Sequence, residues 1–89
     1  MGLLAGEQVK VCPVEGGPTM TIKSIDYWTM QGILEEADAT AKVRKTMAAG
    51  LVEIEGLDVA AFLAAPAAGA VDKIFHAIWQ HSWGNSPAG

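Results

Sequence analysis

Between residues 71 and 83 apolar side chains recur at helical spacing. Wound at about 100° per residue, Val71, Ile74, Phe75, Ile78 and Trp79 fall on one stripe and Asp72, Lys73, His76 and Gln80 fall opposite. The pattern predicts an amphipathic helix over 71–83. Its ends agree with its middle: Asp72 stands near the start, where the helix dipole favours an anion, and His81 in the last turn, where it favours a cation. Gly84 supplies a stop, with Pro87 just beyond. A helix carrying large aromatics on one face must bury that face, so the rest of the chain has to provide the covering surface.

Residues 1–7 show no periodicity and read as a flexible N-terminal arm. Two runs of alternating character follow, 8–14 and 19–25, separated by the turn cluster Glu15-Gly16-Gly17-Pro18, and together they predict a β-hairpin. Val9 and Val11 share one face, as do Met20 and Ile22, leaving Lys10, Thr21 and Lys23 towards solvent. Pro13 donates no ladder hydrogen bond, so the first strand is an edge or ends there. Ser24 or Asp26 caps a helix expected to run to Asp38, with Tyr27, Met30, Ile33, Leu34 and Ala37 on its apolar face and Trp28 off it. A second helix, capped by Asp38 or Thr40, reaches about Ala49, with Val43, Met47 and Leu51 inward and Lys42, Arg44 and Lys45 outward.

Residues 50–56 are ambiguous, because Val52 and Ile54 alternate with Glu53 and Glu55 over a very short run between glycines; they are read as extended. Asp58 caps a short helix over 59–65, whose bulky groups are Phe62 and Leu63. Pro66 ends it and is expected to open the final helix from an early helical position, where a missing N–H costs nothing. Residues 84–89 read as a flexible C-terminal tail. The whole is a single α+β domain over 8–83, mostly helical, with the N-terminal β-hairpin packed on three to four helices.

Composition narrows the function classes. A chain of 89 residues with 51% hydrophobic but only 7% aromatic residues builds one compact core of low bulk. With a net charge of −4, a general attraction to nucleic acid or to an anionic membrane is not expected. One cysteine, Cys12, excludes an internal disulfide and suits a reducing cytoplasm. The N-terminus lacks a signal-peptide pattern, and Gly6 stands where a myristoylation motif wants Ser or Thr. The apolar run 59–71 is too short to span a bilayer.

Candidate chemistry is sparse. His76 and His81 are five apart, which separates them by roughly 140° on a helix and prevents joint metal ligation. Cys12 has no neighbouring His or helix N-terminus in sequence to activate it. Glu35-Glu36 and Glu53/Glu55 fit solvated faces better than acid/base pairs, and Gly16-Gly17 lacks the helix and lysine of a phosphate cradle. No catalytic residue, metal site or cofactor is therefore expected. The tryptophans are more informative. Trp28 and Trp83 fall off their helices' apolar stripes, which makes each either an interface anchor or a core-closing group folded back under the hairpin or onto the core. Trp28, Trp79 and Trp83 are the candidate partner-binding residues.

The order of parts carries a resemblance. A short hairpin and a capped Trp-containing helix precede an Ala-rich basic helix ending Ala48-Ala49-Gly50-Leu51-Val52. Then come Gly56-Leu57-Asp58-Val59-Ala60-Ala61-Phe62-Leu63-Ala64-Ala65-Pro66 and the final amphipathic helix. This resembles the small tail assembly chaperones of long-tailed bacteriophages and prophages. The resemblance runs over about residues 8–83, with Phe62, Leu63, Pro66 and the stripe of the last helix matching the family pattern. It implies a non-catalytic protein of the host cytoplasm that binds the tape-measure protein during tail morphogenesis, helps recruit tail-tube subunits and self-associates. The alternative is a small bacterial interaction module, an adaptor or antitoxin-like regulator, and neither reading needs a cofactor.

Overall fold

The computed structural model describes residues 4–84. Its elements are β1 (Gln8–Val11), β2 (Met20–Lys23), α1 (Tyr27–Leu34), α2 (Ala39–Gly50), β3 (Leu51–Ile54), α3 (Val59–Ala64) and α4 (Ala68–Ser82). It is an α+β fold in which a three-stranded antiparallel sheet, ordered β1-β2-β3, packs with four helices. All but Gly84 of the expected C-terminal tail lies outside the described residues.

The expected hairpin is present but shorter than the sequence runs suggest. Register pairs Val9 with Ile22 and Val11 with Met20, which puts the apolar members of both strands on one face. Pairing stops before Pro13, as a residue without an N–H requires. Gly16, at φ +76°, turns the chain, and the Gly17 N–H closes on the Val14 carbonyl. Within the segment expected as a loose arm, the Gly6 and Glu7 N–H groups both donate to Ser24 Oγ.

The ambiguous stretch after α2 is the third strand, and its inward residues differ from simple alternation. Leu51 pairs with Ile22 and Glu53 with Thr21, leaving Val52 as an extra residue in a bulge. Leu51 and Ile54, three apart, are therefore both buried, while Val52, which strict alternation would put on the same face as Ile54, is exposed.

Aspartates cap three helices as their spacing predicts: Asp26, Asp38 and Asp58 each accept the N–H three residues on. The Asp38 cap also explains why α1 ends at Leu34 rather than running to Asp38. Glu36 Oε1 accepts the Asp38 N–H at 3.3 Å, so the chain is already turning to begin α2. Two turns of helix bury only a narrow line, Met30 and Ile33. Tyr27, Leu34 and Ala37, expected inward, are exposed, and Ile25 fills the space before the helix. The final helix begins at Ala68, ahead of the apolar stripe that starts at Val71 but after Pro66. Its N-cap is Ala67, so Pro66 lies outside the helix instead of in its first turn.

Met20, Ile22, Ile25, Met30, Ile33, Met47, Leu51, Ile54, Ile74, Ala77 and Ile78 form one core between the sheet, α1, α2 and α4. The tightest point is the crossing of α2 and α4. A Cβ on Gly50 would stand 2.5 Å from Ile78 Cγ2, so only glycine permits this approach. No helix among the described residues is long and apolar enough to cross a membrane.

Two surface carboxylates link stability to acid. Hydrogen bonds from the Thr29 side chain and backbone hold Asp26 below the ordinary Asp value, and the Lys45 ammonium, 2.8 Å away, does the same for Glu36. A carboxylate whose folded pKa is depressed stabilises the fold above its unfolded value, and that contribution is lost as pH falls through the folded value. Thermal stability should accordingly decline as pH drops from about 4.5 downwards. In the Asp26→Asn/Glu36→Gln variant the decline should be shallower, as followed by circular dichroism melts at stepped pH.

Candidate protein-binding surface

The exposed aromatics are arranged by helix geometry. Along α4 the residues nearest the core are Ile74, Ala77 and Ile78, all buried. Phe75, Trp79 and Trp83 follow one another at intervals of four. Each step advances about 40° around the axis, so the line precesses away from the core as it climbs. Phe75 and Trp79 are half-buried and Trp83 is 49% exposed. The rings form a ladder, with centroids 5.5 Å apart for Phe75 and Trp79 and 6.3 Å apart for Trp79 and Trp83. Sequence reasoning set Trp83 apart from the stripe; its spacing of four from Trp79 was the signal that joins it to the ladder.

Thr46, completely buried on α2, fixes the middle rung. Its hydroxyl donates to the Lys42 carbonyl at 2.9 Å and accepts from the Trp79 indole N–H at 3.3 Å. Trp79 is thus tied to the fold by its polar edge while its ring supports Trp83. Nothing in the apolar periodicity marked Thr46, because a buried hydroxyl on a helix reads as a solvated one until its partner is known.

The upper end of α4 is latched to the start of the domain. Ser82 Oγ accepts the Ile25 N–H at 2.9 Å, and His81 Nε2 donates to the Glu7 carbonyl at 2.8 Å. His76 lies elsewhere, exposed, 3.6 Å from Asp72. The two histidines thus have separate partners. Among the described residues no three His, Cys, Asp or Glu side chains gather to hold a metal ion.

Trp28 sits apart on α1. It is 80% exposed and stacks edge-to-face with Tyr27 at 5.1 Å. Two open clefts lie among the described residues. One, of about 410 Å³, lies between α1 and α2 and is lined by Thr29, Gly32, Ile33, Lys45, Ala48 and Ala49. The other, of about 460 Å³, lies between β1 and α4, where Lys10, Lys73 and His76 give it a basic rim. Cys12 lines the second cleft, and its thiol reaches the Val14 and Gly17 carbonyls at 3.5 and 3.4 Å, closing the hairpin turn.

Comparison with known proteins returned no match to a family model, to a curated protein or to a solved structure.

Proposed function

We propose that this chain is a non-catalytic protein-binding domain that docks an apolar helical partner along the end of α4. The observation that carries the reading is the Phe75–Trp79–Trp83 ladder, in which a half-buried and anchored rung holds a large apolar ring against solvent. Aromatic side chains held in place lose little freedom on binding, which is what makes them effective anchors. A partner helix presenting apolar groups at i, i+3 and i+4 meets such a ridge in register. Joined to the order of elements in the sequence, this supports a phage tail assembly chaperone of the host cytoplasm, with the tape-measure protein as its partner.

The test is affinity capture of the tagged chain from cells expressing its whole gene neighbourhood, with mass spectrometry of what co-purifies. A long helical tail protein at stoichiometric level is the expected result. A different stoichiometric partner would replace the chaperone with an adaptor or antitoxin-like regulator, and recovery of none would overturn the binding reading. With the captured partner in hand, Trp83→Ala should weaken binding roughly 30-fold, the effect of losing an anchor worth about 2 kcal/mol. Its melting temperature should stay close to that of the parent chain, because the ring is half exposed.

A further inference from the structure

We propose that the outer edge of β1 takes an added strand, an extended acidic peptide lying in the cleft between β1 and α4. The phase of the ladder leaves that edge available. The Ser24 N–H donates to the Glu7 carbonyl and, on the other side of β2, the Glu55 N–H donates to the Thr19 carbonyl. In an antiparallel pair the hydrogen-bonded residues alternate along each strand. Counted from those two bonds, Val9 and Val11 turn their backbone groups to Ile22 and Met20, and Gln8 and Lys10 turn theirs outward. β1 ends the sheet, so these outward N–H and C=O groups have no partner among the described residues. The opposite edge differs, because Leu57 bridges back to Ile54 and α3 packs against β3.

Charge selects the occupant. Lys10 on β1 and Lys73 and His76 on α4 line the cleft together with the apolar Val11 and Ala77. Asp72, the neighbouring carboxylate, lies 3.6 Å from His76, whereas neither lysine is in an ion pair among the described residues. In a chain of net charge −4 this is a local surplus of positive charge. Two copies pairing edge to edge would bring their basic rims together, and lysine on an edge strand ordinarily guards against such pairing. An acidic strand meets the opposite condition. Opposite Gln8 and Lys10 it exchanges a pair of backbone hydrogen bonds with each. Its side chains alternate between the two faces, so one carboxylate stands towards Lys73 and His76 and the next beside Lys10.

Backbone hydrogen bonds and exposed charges give a modest affinity, with a dissociation constant on the order of 100 μM for a short peptide. It should weaken further as salt screens the rim. Lys73 lies about 120° around α4 from Trp79. The cleft is therefore separate from the aromatic ladder and does not depend on the partner proposed for it.

The test is titration of the whole purified chain with a labelled, end-capped peptide, Thr-Val-Glu-Glu-Val-Glu-Val-Thr, followed by fluorescence anisotropy and by residue-resolved amide exchange. The expected result is saturable binding that slows exchange at the Gln8 and Lys10 amides about tenfold or more, while Val9 and Val11, already bonded to β2, change little. Lys73→Glu, at an exposed position on α4, should weaken binding about tenfold or more, and Lys10→Glu should do so from β1. Two altered peptides repeat the test on the parent chain should either variant not fold. One is N-methylated along its backbone, which keeps the charge and removes the donors, and the other carries lysine in place of each glutamate; neither should bind. Absence of saturable binding up to about 1 mM, equal binding of either altered peptide, or protection that misses Gln8 and Lys10 would each overturn the proposal.

Discussion

Gly50→Ala should cost the fold about 2 to 3 kcal/mol, although glycine to alanine within a helix ordinarily gains up to about 1 kcal/mol. Steric contact with Ile78 decides the sign. The added Cβ would lie 2.5 Å from Cγ2, 3.1 Å from Cδ1 and 3.2 Å from Cγ1 of a side chain that is 0% exposed, so no rotation into solvent relieves it. Ile78→Ala alone should cost about 2 to 5 kcal/mol through the cavity it leaves. In the double variant the lost methyl groups make room for the added one, and the combined loss should fall short of the sum by at least about 1 kcal/mol. Urea unfolding of the four proteins, followed by both circular dichroism and tryptophan fluorescence, measures that coupling. A stabilised Gly50→Ala chain would show that α2 and α4 separate more easily than their packing indicates. Domains of this size have about 5 to 10 kcal/mol in total, so either single change should remove a large share of it.

Trp79→Ala should destabilise by about 3 kcal/mol, because it removes a half-buried indole and leaves Thr46 Oγ1 without its donor. Trp79→Phe separates the two effects. The smaller ring still packs between Phe75 and Trp83, so the expected cost of about 1 to 2 kcal/mol is chiefly that of the unfilled acceptor on a residue that is 0% exposed. With Thr46→Val as the second arm, a double-mutant cycle should return a coupling of about 1 kcal/mol, read from urea midpoints. A coupling near zero would mean that water serves both groups equally well. The same variants bear on binding: Trp79→Phe should retain most affinity for a captured partner, since the ridge is apolar, whereas Trp79→Ala removes the support beneath Trp83.

Much of this architecture was legible in the residues, and the misreadings have physical causes. Periodicity located the hairpin and three of the helices, and Asp58 marked the start of the short one; Asp26 and Asp38 were each one of two candidate caps, and they are the ones that close on the N–H three residues on. Strict alternation failed at Val52, where the bulge shifts the inward set to Leu51 and Ile54; a bulge is fixed by the neighbouring strand, which local sequence does not contain. Tyr27 and Leu34 followed the apolar pattern of α1 yet face solvent, because a two-turn helix offers the core too narrow a line to bury them. At the candidate surface the aromatic residues could be named from the sequence. The Thr46–Trp79 bond joins residues 33 apart, so the anchoring of the ladder emerged only from the packing of α2 on α4.

The latch between Glu7 and His81, with Ile25 on Ser82 beside it, brings residues 74 and 57 positions apart into direct contact. Chain therefore enters and leaves the domain at nearly the same place. A unit with neighbouring ends can be spliced into a surface loop of another protein without prising that loop open. Circular permutation follows the same geometry, since a linker from His81 to Glu7 has only a short gap to span and the Gly16 turn of the hairpin offers a place for new ends. The same proximity puts anything fused ahead of Glu7 next to the α4 terminus that carries Trp83, so the position of a fusion partner decides whether that ring stays accessible.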